Sequence, residues 1–169
     1  MKYNIVRSKR KTISLVIKND CTLEVRSPYK VSDKIIDEFV KIKKDWIEKA
    51  LKRQSESYVF PEFPEEIFEE IRKETLRKTE NYLKDFPGEK PELISIRKQR
   101  ATWGSCNSHR KITINALAGL LPEKLFEYIM IHELCHLVYM NHSTDFWKLV
   151  SYYLPSWKSA REELKKYRL

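Results

Sequence analysis

A chain of 169 residues with 41% hydrophobic content can bury a core unaided, and its three cysteines, an odd number without a C-x-x-C pair, argue against a disulfide framework or a cysteine zinc cluster. The formal charge of +9 would favour acidic partners such as nucleic acid, but the charges are mixed in sign along most of the chain and a solvated basic surface accounts for them. The opening MKYNIVRSKRKTISL has no apolar targeting core and no later stretch has the length of a membrane span, which points to a cytoplasmic protein with no membrane contact.

In chain order, residues 12–26, TISLVIKNDCTLEVR, read as a β-hairpin around the turn-forming KND, with Ile13, Leu15 and Ile17 on one face. From Ser32, suited to cap a helix, Ile35, Ile36, Phe39, Val40, Ile42, Trp46, Ile47, Ala50 and Leu51 recur at helical spacing and predict one helix with a broad apolar stripe. Its lysines, like those of RSKRK, are a possible nucleic-acid surface but read more simply as a solvated face. The proline-punctuated SESYVFPEFPEE then links an N-terminal lobe, residues 1–58, to the remainder, residues 59–169. Pro64, Glu65 and Glu66 start a charged helix that runs to about Phe86, where PGEKP stops it.

ELISIRKQ and RKITINA read as strands, and Gly104 is the only glycine available to turn the chain between them, so a hairpin or short strand pair is expected. Pro122 opens the next helix, along which Leu125, Tyr128, Ile129, His132, His136 and Tyr139 follow at three- and four-residue spacing. Ser143 caps another helix to about Leu154, and PSWKSAREELKKYR supplies the last.

The chemistry concentrates in IHELCHLVYMNHSTDFW, which holds three of the four histidines. Residues four apart lie one turn along the same helix face, so His132 and His136 can aim at one point, the bidentate grip a zinc ion needs. Glu133 is rotated about 100° from His132, beside the ion and not on it, where it can take a proton from metal-bound water as the base of an HExxH hydrolase. A continuous helix would carry His142 about 15 Å past His132 and roughly 80° off its face, so a third ligand requires the helix to end first. Asn141, tolerant of the left-handed conformation, and Ser143, a helix cap, supply that ending. Three histidines leave the fourth tetrahedral position to water, the arrangement of a catalytic zinc.

Metzincins share the spacing, but their glycine is Tyr139 here and no methionine follows His142. The YbeY-like zinc endoribonucleases share it too, and a basic chain suits RNA, but they carry glycine where this chain has Glu133, which favours peptide hydrolysis. A nucleic-acid-binding module with a structural metal is the non-enzymatic alternative. A closer likeness lies in WGSC (Trp103–Cys106), ITIN ending at Asn115, HELCH and NHSTDFW (Asn141–Trp147), which resemble the YgjP-like metallopeptidases and, more distantly, SprT-like proteases. The resemblance implies an α+β, zincin-like fold: an N-terminal β-hairpin and helix, a small, mostly antiparallel sheet packed on the HExxH helix, and C-terminal helices. It also implies zinc held by His132, His136 and His142, with Glu133 as base and a peptide or unfolded protein as substrate.

Around the site, KITINA is the expected sheet edge for an extended peptide, with Ile114 and Asn115 as candidate substrate contacts. Trp103 and Gly104 are candidates to shape the cleft, although a tight turn with one packed tryptophan explains them equally well. Cys135, Phe146 and Trp147 read as core. Tyr139, Tyr152, Tyr153, Arg100 and His109 are open choices for stabilising an oxyanion, and Asp145 and Asn115 for orienting a histidine.

Overall fold

The computed structural model describes residues 2–18 and 20–169. It divides into two units, Met1–Ser57 and Tyr58–Leu169. In the first, β1 (Asn4–Ser8), β2 (Ser14–Ile17) and β3 (Leu23–Pro28) form a sheet in the order β1-β3-β2, followed by α1 (Asp33–Ile42) and α2 (Lys44–Ser55). The expected hairpin is the antiparallel β2–β3 pair, in which Leu15 faces Val25; Asn19 of its turn lies outside the described residues. β1 adds to the other side of β3 in parallel, an edge strand that half-exposed Ile5 and Val6 did not announce. Ile13, Leu15 and Ile17 pack against Leu23, Val25, Ile36, Val40 and Ile47, the unit's buried core.

The helix expected from Ser32 to Leu51 is two helices. Lys43 leaves helical geometry at φ −93°, ψ 11°, and the break takes the apolar stripe out of register. Only Ile36, Val40 and Ile47 are buried, while Ile35, Ile42 and Trp46 face outward. Ser32 sits at the cap position, where its carbonyl accepts from Ile36 N, but its hydroxyl makes no capping bond.

The second unit begins with β4 (Tyr58–Val59), inside the expected linker, which pairs in parallel with the C-terminal β8 (Tyr167–Arg168). Between them come α3 (Glu65–Asp85), β5 (Leu93–Arg97), β6 (Gly104–Cys106), β7 (Lys111–Asn115), a 3-10 turn (Ala116–Leu120), α4 (Glu123–Cys135), α5 (Thr144–Tyr153) and α6 (Trp157–Leu164). The mixture of short sheets and helices is the expected α+β class. The sheet beside α4 has the order β5-β7-β6, with β5 parallel and β6 antiparallel to β7.

Two expectations change here. The sheet is not mostly antiparallel, because the chain returns from β5 through β6 before laying down β7. KITINA is therefore the central strand and not the edge; β6 is the edge strand that packs against α4. The β6–β7 turn is not made by Gly104, which lies within β6. Arg110 adopts φ 55°, its N–H bonds Asn107 O at 3.0 Å, and the Asn107 side chain accepts from His109 N and Lys111 N. A local asparagine network thus stabilises a conformation usually left to glycine.

α4 is buried nearly all round, as befits a helix at the centre of a core. Ile112, Ile114, Leu125, Phe126, Met130, Ile131, Leu134, Phe146 and Val150 are fully enclosed about it. The 3-10 turn comes close to α3 at Gly119, where an added Cβ would strike Thr75, whose hydroxyl donates to Ala116 O at 2.7 Å.

Asn115 ties these parts together. Its side-chain amide donates to Gln99 O at 2.8 Å and Thr102 O at 3.1 Å, holding the β5–β6 loop, and its Oδ1 accepts from Leu117 N at 3.2 Å, capping the 3-10 turn. Asn115→Ala should lower the unfolding free energy by about 1 to 3 kcal/mol in urea titrations, since it removes a cap and two bonds to part-buried loop carbonyls. Asn115→Asp should also destabilise, because a carboxylate keeps the cap but cannot donate to the loop.

Candidate metal centre

The four-residue spacing on α4 sets Tyr128, His132 and His136 along one face. The helix ends at Cys135; His136, at φ −68° and ψ −17°, is its cap, and Leu137, Val138 and Tyr139 close the last turn through Leu134 O and Cys135 O. A break before His142 is therefore present, but not by the expected means. No described residue here has a positive φ, and Asn141 acts through its side chain, accepting from Ser143 N at 3.2 Å. The Ser143 hydroxyl then accepts from Phe146 N at 3.3 Å and starts α5.

His142 is returned to the ligand face. Its Nε2 lies 3.0 Å from His132 Nε2, and one nitrogen from each of His132, His136 and His142 falls within 4.8 Å of the others. Donors about 2.0 to 2.1 Å from a tetrahedral ion stand roughly 3.3 Å apart, so the arrangement fits a single metal. His136 Nδ1 lies 2.9 Å from Tyr139 O; the bond requires its proton on Nδ1 and leaves Nε2 free to ligate. His132 Nδ1 is buried with no hydrogen-bond partner among the described residues. Neither residue proposed to orient a histidine does so: Asp145 pairs with Lys148 at 2.9 Å, and Asn115 is committed to the loop.

Phe146 holds the three rings. It is fully buried, with ring centroids 5.1 Å from His132, 4.5 Å from His136 and 4.9 Å from His142. Trp147 stacks on His142 at 5.5 Å and on Trp157 at 4.4 Å. Both are core residues, as expected, but the core they form is the bed of the site. Burial pushes His132 down to about 3, helped by His136, His142 and Arg161; burial, His136 and Arg161 also lower His142. Both imidazoles are neutral at physiological pH and offer lone pairs to a cation.

Glu133 is 6% exposed, and burial alone pushes its carboxyl up to about 8. It lies against β6 so closely that a Cβ on Gly104 would come within 2.7 Å of Glu133 Cγ and 2.8 Å of Oε1. Trp103, Gly104, Tyr128, His132 and Glu133 line a cleft of about 220 Å³. Of the candidate substrate contacts, Trp103 and Gly104 are at the cleft, whereas Ile114 and Asn115 are enclosed in the central strand. Cys135 is buried and free.

None of Tyr139, Tyr152, Tyr153, Arg100 or His109 is among the residues lining the cleft. Two that are near the histidines escaped the sequence: Tyr128, legible as a position one turn ahead of His132, and Arg161, brought from α6 with no local signal.

Among the described residues no helix is long and apolar enough to cross a membrane. No curated protein matches the chain. Among solved structures, the metallopeptidase zymogen of Pyrococcus abyssi abylysin is similar, at 23% identity and a TM-score of 0.42, over 54% of this chain and 90% of that one. The model of the YgjP-like metallopeptidase domain matches residues 11–69 and 61–167. A match over nearly the whole length, ending on the elements that bring three histidines together beside a buried glutamate, means that this chain belongs to the YgjP-like family of metallopeptidase domains.

Proposed function

We propose that the protein is a zinc peptidase in which His132, His136 and His142 hold the ion and Glu133 is the general base. The observation that carries this reading is the convergence of three imidazole nitrogens beside a buried carboxyl group that has no ion-pair partner among the described residues. Three nitrogen donors and an open position are the donor set of catalytic zinc.

When bound, the ion supplies Lewis acidity toward a peptide carbonyl and lowers the pKa of water at the site. Glu133 accepts the proton of the attacking water at a carboxylate oxygen and then delivers it to the leaving amine. The raised pKa of that carboxyl suits both halves of the exchange, and positive charge close by draws it back toward the ionised form needed for the first. Gly104 keeps the carboxyl in place by leaving room for it, and β6, as the edge strand next to α4, is the element along which an extended peptide can lie.

Glu133→Gln should retain zinc and lose about 10² to 10⁴ in kcat on an unfolded protein substrate, whereas His142→Ala should lose stoichiometric zinc by metal analysis. Full hydrolysis by Glu133→Gln would sink the mechanism. Gly104→Ala, which forces the carboxyl aside, should cost about 10²-fold in kcat with zinc content unchanged.

The metal-free protein carries its own signature. Between its ordinary value of 4.5 and about 8, Glu133 keeps in the folded state a proton that the unfolded chain has released. Its contribution to stability is therefore full below that window and lost as pH rises through it. Chemical denaturation in a chelator should show Glu133→Gln gaining stability relative to the parent from pH 5 to pH 8; a constant difference would contradict the burial of the carboxyl.

A further inference from the structure

Among the described residues, two hydrogen-bond donors near the histidines make no side-chain hydrogen bond. Tyr128 stands one turn ahead of His132, its ring 5.9 Å from that imidazole, and lines the cleft beside Glu133 and Gly104. The residue is 5% exposed, yet its hydroxyl makes no hydrogen bond among the described residues. On the wall of the cleft, that hydroxyl is left to donate to a group bound there.

Arg161, an exposed residue of α6 outside the cleft lining, approaches the histidines through Trp147. It lies four residues after Trp157 on one helix face; Trp157 stacks on Trp147, and the Arg161 guanidinium sits 5.1 Å over the same indole. That indole stacks in turn on His142, so the cation is held next to the ligand cluster by two aromatic contacts. Arg161 makes no ion pair among the described residues, although Glu162 and Glu163 follow it; those carboxylates go to Lys165 and Lys124.

We propose that Tyr128 and Arg161 form the electrophilic wall of the cleft, donating hydrogen bonds to the substrate's carbonyl oxygen as negative charge develops on it during hydrolysis. This assignment rests on the peptidase reading of the site. Tyr128, enclosed and on the ligand face, is the near donor; Arg161, outside it and clamped on Trp147, supplies the charge.

The test compares zinc-loaded parent, Tyr128→Phe, Arg161→Met and Arg161→Lys in two assays: cleavage of a C-terminally amidated fluorogenic peptide, and calorimetric binding of an amidated phosphinic peptide, whose tetrahedral anionic centre mimics the charged oxygen. Tyr128→Phe and Arg161→Met should each lose about 10² in kcat with KM within about threefold, and lose phosphinic-peptide affinity by a like factor. Arg161→Lys should recover part of both, with zinc content and thermal midpoint unchanged throughout. Unchanged kcat and phosphinic affinity, with only a lowered midpoint, would make Arg161 a packing clamp for Trp147 and overturn the proposal. A loss confined to KM, seen only with peptides that end in a free carboxylate, would overturn it in favour of a terminal-carboxylate reader. A parent that cleaves while every variant cleaves equally well defeats this assignment alone; a parent that neither cleaves nor binds the phosphinic peptide defeats the peptidase reading and this assignment with it.

Discussion

Phe146 is buried against all three histidine rings, and the same residue's backbone N–H is the donor that Ser143 accepts at the start of α5. One residue thus couples the end of a loop to the geometry of the site: the cap sets where α5 begins, and the ring that follows fixes where the imidazoles can lie. The apolar surface it presents also removes water from His132 and His142, which keeps both neutral and their lone pairs available. Convergence and an unprotonated lone pair, the two properties a nitrogen donor set needs, come from the same packing contact.

The other wall of the cleft is governed by close approach. β6 passes near enough to α4 that only a residue without a Cβ leaves space for the Glu133 carboxyl. β7, enclosed between β5 and β6, does not line the cleft, but its Asn115 holds the loop that delivers Trp103 and Gly104 to it. The strand that lines the cleft is positioned by a side chain that does not line it.

Much of this was legible in the sequence because it is local. The HELCH spacing requires only helix geometry, Pro122 and Ser143 mark helix starts by backbone chemistry, and the β2–β3 hairpin follows from two β-rich runs around a turn. Where periodicity failed, a local detail overrode it: Lys43 interrupts an otherwise regular stripe, and Arg110 takes a left-handed conformation because Asn107 binds the neighbouring N–H groups. Asn141 was correctly read as part of the chain break but in the wrong capacity, since the same short amide that tolerates a left-handed backbone can also fold back on the residue two ahead.

What the amino-acid sequence determined alone is the pair His132 and His136, the placement of Glu133 beside them, and the need for the helix to stop before His142, because i,i+4 geometry admits no alternative. Only the tertiary structure decided which strand is the edge, since a five-residue run such as KITIN, with two isoleucines in alternation, looks the same at the centre of a sheet as at its border. It alone brought Arg161 to the histidines, through a stack of two tryptophans, because the meeting of α6 with α4 depends on side-chain packing across the core and leaves no periodic trace in the chain.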